Sequence, residues 1–525
     1  MQAGRTCVNI NGQYTFPAAV TSAKNLLHKF IRIGRKCIRR ATFGIVFFAT
    51  TLSASAICAG ETASHFDPKP WLADLEQTRQ AFAIKYANLE WAVFEREIDL
   101  NALFGDTRMR IANARDNEQA RAAFDRLARR IGDGHVEFRW PEAGAESSRA
   151  ENADRCGALG YDPAMNGDPV AALAPGYRPL PAPDEFPSGL LAVGGRTVGV
   201  IKIGLFMPRG APALCRAALR ALAVDPKKPC DDSCSDRVDM WATVRMTRDL
   251  TKVLGTIDAA GAEALVVDIA GNGGGSEWAE AAARMMTPMR LTSERMDFMR
   301  GRHWADSLAH DISDMRSAAE HADAADRALL LKLASDANAK RKVALTPCDS
   351  VPLWVGKHLS CAWLGAGLYG SGMLASADPA WLAGKAWAPI VFSPAQYPYT
   401  EGAWRKPVII LVNRGTGSAA SEFAAVLQDN HAAIVMGSPA LGGCGHTNGG
   451  TPTTLANSKG VLGLPDCARL RADGSNEVQG IEPDVLVGFT PGDGPRTLGK
   501  RFLAQLPDAL ARAFALERRH AGAGH

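Results

Sequence analysis

Apolar residues recur at mixed spacings of three and four through WLADLEQTRQAFAIKYANLEWAVFERE, and again through DNEQARAAFDRLARRI. This period predicts helices across 65–130, with Asp116 as a cap for the second. The pattern then changes. Residues 141–192 are rich in Pro, Gly and Ala without periodicity and read as an irregular crossing segment. LLAVGGRTVGVIKIGLF reads as two strands around a turn, and RMTRDLTKVLGTIDAAG as an amphipathic helix. The short apolar runs ALVVDI, PVIILV and AAIVMG read as buried strands, and AGNGGGSEWAEAAARMM, the region 308–341 and EFAAVLQDN read as helices. Strands alternating with helices predict an α/β domain, and no internal repeat is present.

This pattern divides the chain into 60–130 as an N-terminal helical domain, 131–189 as a histidine-bearing turn and linker, 190–490 as the α/β core, and 491–525 as a C-terminal helix and tail. Composition changes the picture only at the front. Residues 1–59 hold eight Lys or Arg and no Asp or Glu; the remainder holds 51 basic against 55 acidic groups, a net of −4. A mildly acidic body argues against nucleic acid as a partner. The basic stretch KFIRIGRKCIRR precedes ATFGIVFFATTL and then SASAICAG, the order of an export signal, so 1–59 is read as a leader. The apolar run is short for a membrane span, and Ile57 before Cys58 suits lipid attachment poorly. The expected location is the periplasm or outside the cell, with the membrane met only during export. Beyond the leader lie eight cysteines, an even number compatible with disulfides whose pairing stays open. The spacing of Cys230 and Cys234 is half of a metal pattern, with no second pair or nearby His to complete it. No metal or cofactor is expected.

The chemistry is suggested by NRGTGSAASEF (413–423), where a strand leaves through Gly415 and Gly417 and enters a helix at once. Ser418 reads equally as an N-cap and as a nucleophile presented on a sharp turn. The two glycines and the unpaired amide of Ala419, ready for an oxyanion, favour the second reading. Ser421, inside the first turn, suits local hydrogen bonding. A second strand-to-glycine junction, VVDIAGNGGGSEW, offers the amides of Gly273 and Gly274 to the same oxyanion; it lacks phosphate-loop and dinucleotide spacing. Asp268 reads as structural. For the base, His135 in IGDGHVEF is preferred slightly over His446, with His431 a third candidate. Glu477, Glu482 and Asp484 are the carboxylates near the last turn. Cys444 with His446 makes a poor nucleophile pair, since no orienting group follows.

DGHV, LVVDIAGNGGG, ILVNRGTGSAASEF, IVMGSPALGG and GIEPDV stand in the order seen in the C-terminal processing, or tail-specific, serine peptidases, which the chain resembles over roughly 130–490. The resemblance implies a core like that of the crotonases and Clp peptidases behind a helical N-terminal domain, and it implies peptide or unfolded-protein substrates. The lysine-using branch is not matched, because Gly443 in LGGCG stands where its lysine would be. The histidine-using branch, similar to the tricorn core peptidase, implies Ser418 as nucleophile, His135 as base and Glu477 as the distant glutamate. Gly134 departs from that branch, which has a serine beside the histidine. No clear PDZ domain is seen. The competing expectation is a secreted binding protein on a degenerate peptidase fold.

Overall fold

Strands Ala264–Asp268 and Val408–Val412 show why short apolar runs become central strands here: every residue in both is buried. In Val408–Val412, positions 408, 410 and 412 pack on one face of the sheet and 409 and 411 on the other, the period of two that a strand covered on both sides requires. The computed structural model describes residues 66–141, 154–225, 228–445, 452–490 and 492–523, so the export segment read at 1–59 and His446 lie outside the described residues. The described residues from Pro68 onward form one compact unit.

Seven strands make the central sheet in the order Val485–Leu486, Ile434–Gly437, Val408–Val412, Ala264–Asp268, Arg196–Lys202, Ser188–Val193 and Arg178–Leu180. The first five pair in parallel and the last three antiparallel. Ser188–Val193 and Arg196–Lys202 form the expected hairpin, turning at Gly194 and Gly195, both at positive φ. Helices Asp232–Ala259, Trp278–Met285 and Ala419–Asp429 cover one face, where Trp278, Phe206 and Phe423 pack. The C-terminal helix Pro495–Ala523 covers the other through Phe502, Leu506 and Leu510.

The expected crotonase- or Clp-like peptidase core is not what forms. The fold is a mixed α/β arrangement of several sheets. Beside the central sheet stand two separate three-stranded sheets. One joins Glu137–Arg139, Val461–Gly463 and Thr453–Thr454; the other joins Cys467–Leu470, Arg295–Met299 and Leu364–Tyr369. All their pairings are antiparallel. These strands are short, and Glu137–Arg139, Arg295–Met299 and Leu364–Tyr369 are only partly buried, so little in their pattern shows which sheet each joins.

Four helices, Lys69–Lys85, Leu89–Phe94, Leu100–Ala112 and Asn117–Ile131, precede the sheets, and Asp116 does cap the last, accepting from the Gln119 amide at 2.8 Å. They are tied to the later chain: the Ala87 amide donates to Pro465 O, and Trp363 Nε1 donates to Tyr86 O. All eight cysteines among the described residues are paired, as 156–215, 230–234, 348–361 and 444–467. No described helix is long and apolar enough to cross a membrane.

Candidate active site

The two glycine loops are locked to each other before either presents a reactive group. Asn413 Oδ1 accepts from the amides of Gly415 and Gly271, both at 2.8 Å. Thr416 Oγ1 donates to Ile269 O, and the Gly417 amide donates to Asn272 O. The chain then turns sharply at Ser418, whose φ of 55° and ψ of −129° are a conformation that non-glycine residues rarely adopt, worth about 1–3 kcal/mol of local strain. The Ser418 hydroxyl makes no capping bond to its helix, so the N-cap reading fails. Its carbonyl, by contrast, is held three times, by the Glu422 amide, the Ser421 hydroxyl and Arg469 Nη2.

Gly274 lies directly against this turn. A Cβ there would sit 2.6 Å from Ser418 Cβ and 3.1 Å from the Ala419 amide, and φ is +121°, so only glycine fits. Its amide is spent on Asn272 Oδ1 at 2.9 Å. Of the three expected oxyanion donors, the amides of Gly273 and Ala419 have no acceptor among the described residues, and Gly274 contributes space.

His135 follows helix Asn117–Ile131 through Gly132 in the left-handed region. Its ring and the Ser418 hydroxyl both lie close to Gly445. A Cβ on Gly445 would stand 3.3 Å from His135 Nε2 and 3.6 Å from Ser418 Oγ, so both reactive atoms border one point. No hydrogen bond joins them in this conformation. A Cβ on Gly443 would stand 3.5 Å from His135 Nδ1, and the φ there is +107°. Beside Gly134 lies the Leu441 side chain, at 3.8 Å from a notional Cβ.

Glu477 is fully buried, and its carboxylate faces Arg469, bonded to both Nε and Nη2, with no bond or ion pair to His135. Arg469 also reaches Glu422 at 2.9 Å and Gly443 O at 2.8 Å. The carboxylate nearest to the imidazole is Asp133, whose Oδ1 is 3.7 Å from His135 Nδ1, beyond hydrogen-bond reach. His431 is exposed at a helix end; Asp484 accepts from the Val435 amide; Asp268 pairs with Lys202 at 3.1 Å.

Residues 237–487 match the model of peptidase family S41. The chain carries an S41 peptidase domain. That supports serine-type peptidase activity on peptide or protein substrates in general. Among solved structures, mature CPAF is 13% identical, over 86% of this chain and 98% of that one, with a TM-score of 0.52. A mutant of CPAF is 14% identical over 86% and 98%, with a TM-score of 0.53. A putative peptidase from Parabacteroides merdae is 14% identical over 85% and 96%, with a TM-score of 0.44. At such identities the CPAF likeness shows the fold alone. No curated protein matches the chain.

The S41 match contains Ser418, Gly273 and Glu477 but begins after His135. The base candidate therefore reaches the domain from outside the matched span. Three neighbours of the candidate site were not singled out from sequence. Asn272 orders the glycine loop, and its side chain also donates to Ile203 O. Asp133 was in plain view, two residues before His135. Arg469 had no local signal, because what it touches is set by distant pairing. Around it, burial drives Glu422 up to about 8 against the pull of Arg469. Burial also holds Glu294 well above the carboxylate range, with Glu477 adding to the shift.

Proposed function

We propose that the protein is an exported serine endopeptidase or processing peptidase working through an acyl-enzyme. Ser418 attacks the scissile carbonyl, and His135 takes its proton at Nε2. The amides of Gly273 and Ala419 hold the oxyanion. His135 then returns the proton to the leaving amine, and water, activated by the same nitrogen, resolves the ester. Glu477 acts at a remove: it fixes Arg469, which pins the carbonyls of Ser418 and Gly443 and so holds the nucleophile and the loop over His135.

The observation that carries the reading is the uncapped Ser418 hydroxyl on a strained turn, sharing with His135 Nε2 the point beside Gly445. Free-enzyme contacts of this kind are commonly loose and tighten when substrate binds. Four disulfides support an oxidising compartment, hence the periplasm or the cell exterior. A fluorophosphonate probe tests the site. It should label Ser418, identified by mass mapping, and Ser418→Ala should abolish both labelling and peptide turnover while the fold persists. An unlabelled, inactive wild type refutes the reading and favours a binding protein; turnover by S418A at the wild-type rate refutes Ser418 as the nucleophile.

A further inference from the structure

We propose that Asp133 is the carboxylate that positions His135, with Tyr86 and Asn88 of the N-terminal helical segment holding it in place. The inference rests on the reading of Ser418 and His135 as nucleophile and base, and it supplies the orienting group which that reading leaves unassigned.

Three observations carry it. First, the Asp133 side chain is completely buried, and its carboxylate is held from both sides. Oδ1 accepts from the His135 amide at 2.9 Å; Oδ2 accepts from Asn88 Nδ2 at 2.9 Å and from the Tyr86 hydroxyl at 3.1 Å. An aspartate that only closed the turn would need the first of these bonds. The second oxygen is gripped by residues more than forty positions away, which fixes the plane of the carboxylate and aims Oδ1 toward the ring.

Second, His135 Nδ1 is buried and has no hydrogen-bond partner among the described residues. Asp133 Oδ1, at 3.7 Å, is the acceptor it faces. A contraction of about 0.8 Å, within the reach of a small ring rotation, makes it a bond. Third, the supports are themselves anchored. Asn88 Oδ1 accepts from Asn476 Nδ2 at 2.9 Å, and Asn476 caps the turn that opens at Glu477. Tyr86 and Asn88 are both fully enclosed. The charge facing this cluster from the helical side is Arg96, whose guanidinium lies against Gly132.

The proton accounting is that of an orienting carboxylate. The Ser418 hydroxyl proton moves to Nε2 as its oxygen forms the bond to the carbonyl carbon. The imidazolium so formed carries hydrogen on both nitrogens, with Nδ1–H directed at Asp133. The carboxylate stays ionised throughout, and the Nε2 proton leaves with the amine. Burial pushes the Asp133 carboxyl up, but the nearby His135 ring, the Asn88 side chain and the His135 amide hold it below its ordinary range, so it is ionised at neutral pH. With Asp133 neutralised, the imidazolium forms against a dipole instead of a charge, and the ring loses its preferred tautomer.

Asp133→Asn separates this role from a structural one, because the amide oxygen still accepts from the His135 amide and preserves the turn. The serine oxygen attacks phosphorus and expels fluoride, and the concentration dependence of this phosphonylation, taken as the surrogate for acylation, gives a maximal rate and a half-saturation constant on the full-length protein. We expect the maximal rate of D133N to fall by about 100-fold or more with half-saturation within about threefold, while the melting temperature falls because the new amide Nδ2 faces the Asn88 donor. Tyr86→Phe, which keeps the ring and removes one donor, should lower the maximal rate several-fold in the same selective way. A D133N protein acylating within about threefold of wild type overturns the proposal. So does a loss shared by rate, half-saturation and melting temperature. Should D133N fail to fold, Y86F decides: an unchanged maximal rate overturns the proposal, and a selective fall supports it. Ser418→Ala and His135→Ala run alongside. If H135A acylates like wild type, it is the underlying assignment of the base that has failed.

Discussion

Gly274→Ala tests whether the two glycine loops form one device. The new methyl would lie 2.6 Å from Ser418 Cβ and 3.1 Å from both the Ala419 amide nitrogen and Gly417 O. Carbon atoms rest about 3.5–4.0 Å apart, so Ser418 Cβ must retreat by about 1 Å. It cannot do so freely, because the Ser418 carbonyl is bonded to Glu422, Ser421 and Arg469. Two costs follow. An alanine at a φ of +121° adds strain of about 1–3 kcal/mol, and overpacking adds about 1–3 kcal/mol more. Displacing the nucleophile by about 1 Å from its line of attack is expected to slow acylation by about 100-fold. Gly261→Ala is the control: φ is +85°, yet no atom lies within 4 Å of the added Cβ. It should cost about 1–2 kcal/mol of stability and leave acylation unchanged. Fluorophosphonate kinetics report the rate, and urea unfolding reports the stability. G274A acylating within about threefold of wild type would show that Gly274 is not packed against the nucleophile, and the geometric case for this site would fall with it.

Two further outcomes follow from the same neighbourhood. Ser421→Ala removes the hydroxyl that donates to Ser418 O at 2.7 Å and should cost about 1 kcal/mol in urea unfolding, with labelling still on Ser418; loss of labelling would place the nucleophile at 421 instead. Glu422, pushed up to about 8 by burial from an ordinary 4.5, binds its proton more tightly folded than unfolded, so its contribution is fully present below about 4.5 and is lost as pH rises toward 8. Over that window Glu422→Gln should flatten the decline of urea stability with pH, by no more than about 1.4 kcal/mol per pH unit; an identical slope in wild type and E422Q refutes the assignment.

What could be read from the sequence was whatever a few adjacent residues decide among themselves. Gly415, Gly417 and Ser418 announce a sharp strand-to-helix turn because the backbone there needs small residues, and the turn forms where expected. The apolar runs at 264–269 and 407–412 become buried strands for the same local reason. The number of sheets was not legible. Arg295–Met299 pairs with Cys467–Leu470 across some 170 residues, and neither strand alternates enough to show which sheet it joins.

The carboxylates divide along the same line. Glu477 was singled out for its place before a glycine turn, but what it touches depends on Arg469, and Arg469 is brought there by the pairing of its strand with Arg295–Met299. No property of residues 471–485 alone reveals that contact. Asp133 is the opposite case, since its distance from His135 is fixed by two peptide units whatever the rest of the chain does. Sequence could place it near the imidazole but not aim it. The aim comes from Tyr86 and Asn88, from a helical segment whose link to the site only the folded chain displays. Hence the N-terminal helices, outside the span matching the S41 family, belong to the argument about chemistry as well as to the argument about packing. On the proposed assignment they bring the base and hold the group that faces it, while the S41 domain brings the proposed nucleophile and amides.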